Sequence, residues 1–299
     1  MRPLIILLLV GALVIAACKN KPVNKELRIN PTEIMNDSIA PQTGYSDVNG
    51  IKIYYEIYGK GQPLVLIPGG GSTIESSFGR IIPLLAAHYQ VISLDLQNHG
   101  RSGFRKVPET FEQDADDVAG LVKNLGVGKA NFLGFSNGGT TAMQIAIRHP
   151  EIVDKLVLAA AAFKREGLPA GFSEMMEKAT FPTMPQPLKD AFLKVNPDSA
   201  KLLIMFDKDR QRMVDFKDIP EEQIRAIKSP ALVINGDADV TSVEHALEIS
   251  RLIPHSQLAI IPGGHGRYVG EVLAIGDGNR DIEFVVPMIR AFLDKPVNK

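Results

Sequence analysis

The chain has 299 residues, enough for one large domain or two small ones. Hydrophobic residues make up 45% and charged residues 22%, which permits a sizeable core and excludes disordered, collagen-like or coiled-coil architecture for most of the length. Lys and Arg total 33 against 34 Asp and Glu, so at net charge -1 no overall field draws the chain to nucleic acid, and its single cysteine excludes a disulfide framework or a multi-thiolate metal site.

After Arg2, residues 4–17 form an apolar run shorter than the roughly 20 residues that span a bilayer as a helix. A basic residue, a short apolar stretch and a small-residue end together read as a secretory signal, residues 1–17. The end of that stretch, Ile15-Ala16-Ala17-Cys18, resembles the bacterial lipobox. The resemblance implies cleavage before Cys18, lipidation of that cysteine and a membrane-anchored lipoprotein of the cell envelope. Residues 18–44 are polar and aperiodic, and are expected to be a flexible, lipid-anchored tether.

The folded body is expected from residue 45. Asn49-Gly50 favours a tight hairpin turn, between Tyr45–Val48 and the alternating Ile51, Ile53, Tyr55 and Ile57. Apolar runs then follow at 63–67, 90–94, 130–135, 155–159, 231–235 and 257–261. Helical patterns lie between them at 76–88, 112–125, 138–148 and 243–252, with a last one at 286–293. This alternation predicts an α/β fold: a mostly parallel sheet with helices on both faces, opened by an antiparallel hairpin. Residues 161–228 interrupt the rhythm with no convincing strand and read as an inserted helical cap, so the core is 45–160 and 229–299. The insertion holds Met175, Met176, Met184, Met205 and Met213, five of the nine methionines, together with six of the 13 phenylalanines. Such adaptable side chains suit a lid over an apolar pocket, and equally a small helical core.

Gly134-Phe135-Ser136-Asn137-Gly138 fits G-x-S-x-G. The motif lies between an apolar run and a helical pattern, the strand–turn–helix setting of a nucleophile elbow, where side chains two before or two after Ser136 would collide. Gly134 and Gly138 meet that demand. A serine hydroxyl needs a base. His265, in Pro262-Gly263-Gly264-His265-Gly266, follows the last predicted strand, and His99 is its one rival. His88, His149, His245 and His255 read as solvated or helix-end residues. The base needs a carboxylate, and Asp237 or Asp239 emerges at the carboxyl edge of the sheet after residues 231–234. Pro68-Gly69-Gly70-Gly71-Ser72 can present backbone N–H groups to an oxyanion, with Gly70 and Asn137 as the donors. Neither phosphate-loop pattern is present, nor is H-x-x-x-H spacing, so no nucleotide, cofactor or metal is expected.

These segments resemble the α/β-hydrolase superfamily over about residues 45–294. Pro68 stands where the family's oxyanion segment usually has histidine. Its D-x-x-G-x-G-x-S segment appears as Asp95 to Ser102, with Asn98 at a position that is often glycine, which makes His99 part of a structural loop. Its G-x-x-D acid motif matches Gly236 to Asp239 and selects Asp239. The resemblance implies a catalytic triad of Ser136, Asp239 and His265 cleaving a small-molecule carboxylic ester or lactone with a small to medium apolar acyl group, through an acyl-enzyme. Thioesterase, carbon–carbon hydrolase, amidase, perhydrolase and acyltransferase chemistry are alternatives, as is a catalytically silent ligand-binding protein. About twenty residues, 267–284, separate the histidine from the last helix, longer than in the simplest members.

Overall fold

The structure, a computed structural model, describes residues 40–274, 276 and 280–296. The expected signal segment, Cys18 and the tether through residue 39 lie outside the described residues. The hairpin starts earlier than the sequence indicates: β1 (Gln42–Val48) pairs antiparallel with β2 (Ile51–Tyr58), and Gln42, Thr43 and Gly44 already face Ile57, Glu56 and Tyr55. The expected tether boundary at residue 44 is therefore too late, because polar residues on an edge strand carry no apolar signal.

Six more strands follow: β3 (Pro63–Ile67), β4 (Gln90–Leu94), β5 (Ala130–Phe135), β6 (Val153–Ala159), β7 (Ala231–Ala238) and β8 (Ser256–Gly264). They form an eight-stranded sheet in the order β1-β2-β4-β3-β5-β6-β7-β8, parallel except for the β1–β2 and β2–β4 pairs. The inner strands read as unbroken apolar runs because both faces are covered. Val65 and Ile67 of β3 face one core layer, with Val118, Leu121, Met143 and Ile249. Leu64 and Leu66 face the other, with Phe78, Leu85, Val285 and Ile289.

The helices of these layers include α1 (Ile74–Phe78), α2 (Ile82–Ala86), α3 (Phe111–Asn124) and α4 (Asn137–Arg148). The single helix expected at 76–88 is two short ones, because Pro83 has no N–H to donate back to residue 79. Between β6 and β7 lie α5 (Phe172–Lys178), α6 (Gln186–Val195), α7 (Ser199–Val214) and α8 (Glu221–Arg225). After β7 come α9 (Val243–Leu252) and finally α10 (Ile282–Leu293), one turn longer at its start than its sequence pattern suggests. Lys155 of β6 is buried and donates to the carbonyls of Phe292, Leu293 and Lys295, satisfying the C-terminal end of α10.

The insertion hangs on a narrow neck. Ile219 N–H donates to Phe163 C=O at 2.7 Å, and Phe163 N–H donates to His245 Nε2 at 3.2 Å. His245 is therefore not solvated: it is buried, stacked on the Phe163 ring at 4.8 Å, and burial holds it below the usual imidazole range. Met184, Leu188, Phe192, Leu202 and Met205 give the insertion a core of its own. Its inner side meets the carboxyl edge of the sheet, where Asn196 Nδ2 donates to Gly100 C=O at 2.7 Å and Arg212 donates to the buried Asp114 at 2.6 Å.

Candidate active site

Ser136 ends the turn from β5 into α4 with φ 55° and ψ −122°, a left-handed backbone that an L-residue adopts only under constraint. The constraint comes from close packing on both sides. A Cβ at Gly134 would lie 2.0 Å from Gly138 C=O, and one at Gly138 would lie 2.1 Å from Ile67 C=O. Ser136 N–H is held by Ala159 C=O at 2.8 Å, leaving the hydroxyl to project at the head of the helix.

His265 and Asp239 reach each other by strand pairing. The parallel β7–β8 ladder continues beyond the rest of the sheet to Ala238 opposite Gly264, so the next residue on each strand is Asp239 and His265. Asp239 Oδ1 lies 2.6 Å from His265 Nδ1 and also accepts from Val240 N–H at 2.7 Å. Oδ2 accepts from Gly236 N–H at 3.0 Å and from the Tyr268 hydroxyl at 2.8 Å. Burial alone would push this carboxyl up. The His265 bond and charge, with the Gly236 and Tyr268 donors, outweigh burial and hold it below the usual carboxylate range. Asp237 instead points its Oδ1 at Gly263 N–H, 2.7 Å away, and helps fix the end of β8.

The His265 ring lies 4.7 Å from the ring of Phe135, the residue before Ser136. Ser136, Asn137 and His265 line one small chamber with Phe111, Met213 and Phe216. Ser136 and His265 are not hydrogen-bonded to each other in this arrangement; such a bond is often loose until substrate aligns it.

The glycine loop after β3 is fixed residue by residue. Gly69 N–H donates to Ser77 Oγ at 3.2 Å, and Gly71 N–H donates to His99 Nε2 at 3.2 Å. The N–H groups of Gly70 and Asn137 have no acceptor among the described residues. The loop thus presents Gly70 N–H near the start of α4, where the first backbone donors have no partner within the helix. His99 is buried with both ring nitrogens engaged, Nδ1 donating to Gln97 C=O at 2.8 Å, and is not available as a base. Asn98 adopts φ 60°, a conformation asparagine tolerates better than most residues, which explains its presence where glycine is usual.

Two residues here escape sequence reasoning. Tyr268 is the sole aromatic residue between His265 and Phe284, and that isolation was its only signal. Asp209 of α7 accepts from Asn137 Nδ2 at 3.3 Å, pairs with Arg212, and lies where a Gly70 side chain would begin. Its sequence context is an ordinary charged helix. Among the described residues, no group of three or more His, Cys, Asp or Glu converges in a metal-binding arrangement.

A family described as the alpha/beta hydrolase fold matches residues 62–189. Over 240 residues the chain is 30% identical to the 2-hydroxymuconate semialdehyde hydrolase of Pseudomonas sp. (strain CF600), covering 71% of this chain and 82% of that protein. The chain belongs to the α/β-hydrolase family. As an α/β hydrolase it also resembles a solved serine hydrolase involved in carbazole degradation, at TM-score 0.69 and 25% identity, covering 85% of this chain and 99% of that one. An enzyme that degrades N-acyl homoserine lactones is similar at TM-score 0.65 and 25% identity, covering 83% of this chain and 100% of that one.

Proposed function

We propose that this α/β hydrolase cleaves a carboxylic ester or lactone through an acyl-enzyme on Ser136. One observation carries the reading: Ser136 lines a chamber with His265, whose Nδ1 is held by the buried carboxylate of Asp239 at 2.6 Å. With Asp239 accepting from Nδ1–H, Nε2 is left free to accept a proton, and His265 lines the chamber together with Ser136. Ser136 Oγ attacks the carbonyl carbon as its proton passes to Nε2, and the oxyanion forms against the N–H groups of Gly70 and Asn137. Collapse breaks the carbon–oxygen bond, with Nε2 returning the proton to the leaving alcohol. Water then attacks the acyl-enzyme with His265 again as base.

A fluorophosphonate probe and mass spectrometry test the nucleophile. Labelling at Ser136 that is lost in His265→Ala supports it. A folded protein that remains unlabelled, yet is stabilised by ligands it does not turn over, supports a silent binding role instead.

The similarity to 2-hydroxymuconate semialdehyde hydrolase, over 82% of that protein, favours hydrolysis of a carbon–carbon bond as a second reading. That relative's name describes a carboxylate substrate, and a carboxylate taken out of water needs a cationic partner. No Lys or Arg lines the Ser136 chamber itself, so a carboxylate beside Ser136 would lack a cationic partner there, and Lys178 and Arg210 line only the larger neighbouring cavity; this favours a neutral group next to the serine. A panel of esters, lactones, thioesters and 2-hydroxy-6-oxo-dienoates separates the two, since turnover of the dienoates alone would reverse the preference.

The same reading extends to location. Residues 1–17 would direct export, and acyl chains on Cys18 would hold the enzyme at a membrane of the cell envelope. Radiolabelled palmitate should be incorporated by the wild type and not by Cys18→Ala.

A further inference from the structure

Two cavities of very different size approach each other at the contact between Asn137 and Asp209. One, of about 40 Å³, is the chamber lined by Ser136 and His265. The other, of about 590 Å³, runs through the insertion from an exposed rim at Lys178 and Thr183 to Gly70 and Gly71. Its inner walls are Met184, Leu188, Met205 and Phe206. Asn137 lines the small cavity and Asp209 the large one, and the hydrogen bond between them, long at 3.3 Å, lies against Gly70.

The chemistry assigns a side to each half of the substrate. The oxygen that leaves must lie within reach of the imidazole that protonates it, so the leaving group occupies the cavity that His265 lines. The carbonyl oxygen points at Gly70 and Asn137 N–H, and the acyl carbons extend away from His265, over Gly70. Resting on Ser136 as nucleophile, we propose that the large cavity is the acyl subsite: the preferred substrates are esters of an unbranched, medium-length acyl chain with a small alcohol. A chain passing over Gly70 takes the place of the Asn137–Asp209 contact, while Asp209 keeps its pairing with Arg212. Flexible thioethers along the bore accommodate an alkyl chain without fixing its conformation. A cavity of about 590 Å³ falls within the range that buries most of a drug-sized ligand, whereas about 40 Å³ receives only one or two carbons.

The test uses the full-length enzyme and two ester series, with released acid measured by titration. Ethyl esters from acetate to decanoate vary the acyl side, and butyrates of methanol to octanol vary the alcohol. On the acyl side kcat/KM should rise about four-fold per methylene until the cavity is filled, the gain expected from burying one methylene. It should fall on the alcohol side beyond ethanol. Met205→Trp should lower the octanoate-to-acetate ratio of kcat/KM at least ten-fold. Ala179→Phe, at the half-buried rim of the same cavity, should lower that ratio as well and guards against misfolding of the deeper variant. Ethyl acetate hydrolysis without a gain along the acyl series, or a gain along the alcohol series, overturns the assignment and leaves the serine hydrolase standing. Fluorophosphonate labelling of Ser136 without turnover of any ester also overturns the assignment but not the nucleophile. Absence of both labelling and turnover overturns the two together.

Discussion

Tyr268 donates its hydroxyl to Asp239 Oδ2 at 2.8 Å, on the opposite carboxylate oxygen from the one that His265 engages. Burial and the neighbouring carboxylate hold this phenol far above its usual range, so it remains a donor at any working pH. The donated bond draws negative charge away from the oxygen facing the imidazole. In Tyr268→Phe the carboxylate should therefore favour the imidazolium more strongly, and the acid limb of kcat/KM against pH should move to higher pH. A profile that keeps its position while the melting temperature falls would assign Tyr268 to packing alone.

Asp239→Asn keeps the shape of the site and turns one carboxylate acceptor into an amide donor. An amide nitrogen facing Nδ1 favours the tautomer with its proton on Nε2, where a base is needed, and removes the charge that stabilises the imidazolium. The expected loss in kcat is about 10⁴-fold. Steady-state rates on a reactive ester, with a circular dichroism spectrum matching the wild type, provide the check.

Gly138→Ala places a Cβ 2.1 Å from Ile67 C=O, a backbone atom that cannot move without displacing β3. Overpacking of this kind costs about 1 to 3 kcal/mol and can cost more against backbone. The variant should unfold at lower temperature and lose fluorophosphonate labelling together. An unaltered melting curve would contradict the packing of the elbow.

Glu271 is buried beneath the His265 loop, and burial pushes its carboxyl up to about 7, against the opposing Leu273 N–H and the charge of His265. A folded carboxyl with a raised value binds its proton more tightly than the unfolded one. Its contribution to stability is thus fully present below the ordinary glutamate range and is lost as pH rises through about 7. Glu271→Gln should flatten the decline in melting temperature between pH 5 and 8. Thermal melts across that window, compared with the wild type, measure the difference.

The sheet was legible where strands are sealed on both faces and bounded by glycine or proline, as at 63–67 and 130–135. It was less legible where β7 and β8 run on as Gly236–Ala238 and Pro262–Gly264, whose polar and glycine residues read as loop. There the ladder makes its last pairing and brings Asp239 beside His265. Ser136 and His265 stand out from their local neighbourhoods, one in a motif and the other in a glycine-rich loop. Tyr268 and Asp209 do not, because their partners lie 29 and 72 positions away, and such contacts arise only when the chain is folded.

The neck at Phe163 and Ile219 divides the molecule according to what each part is free to change. Ser136 precedes it and Asp239 and His265 follow it, all anchored in the sheet, while the methionine-lined walls lie wholly between the two neck residues. Mutation can lengthen, shorten or reshape the intervening helices while Ser136, Asp239 and His265 stay in register. Selection can thus retune this enzyme through a detachable cassette, and those two positions are natural splice points for chimeras that exchange one appetite for another.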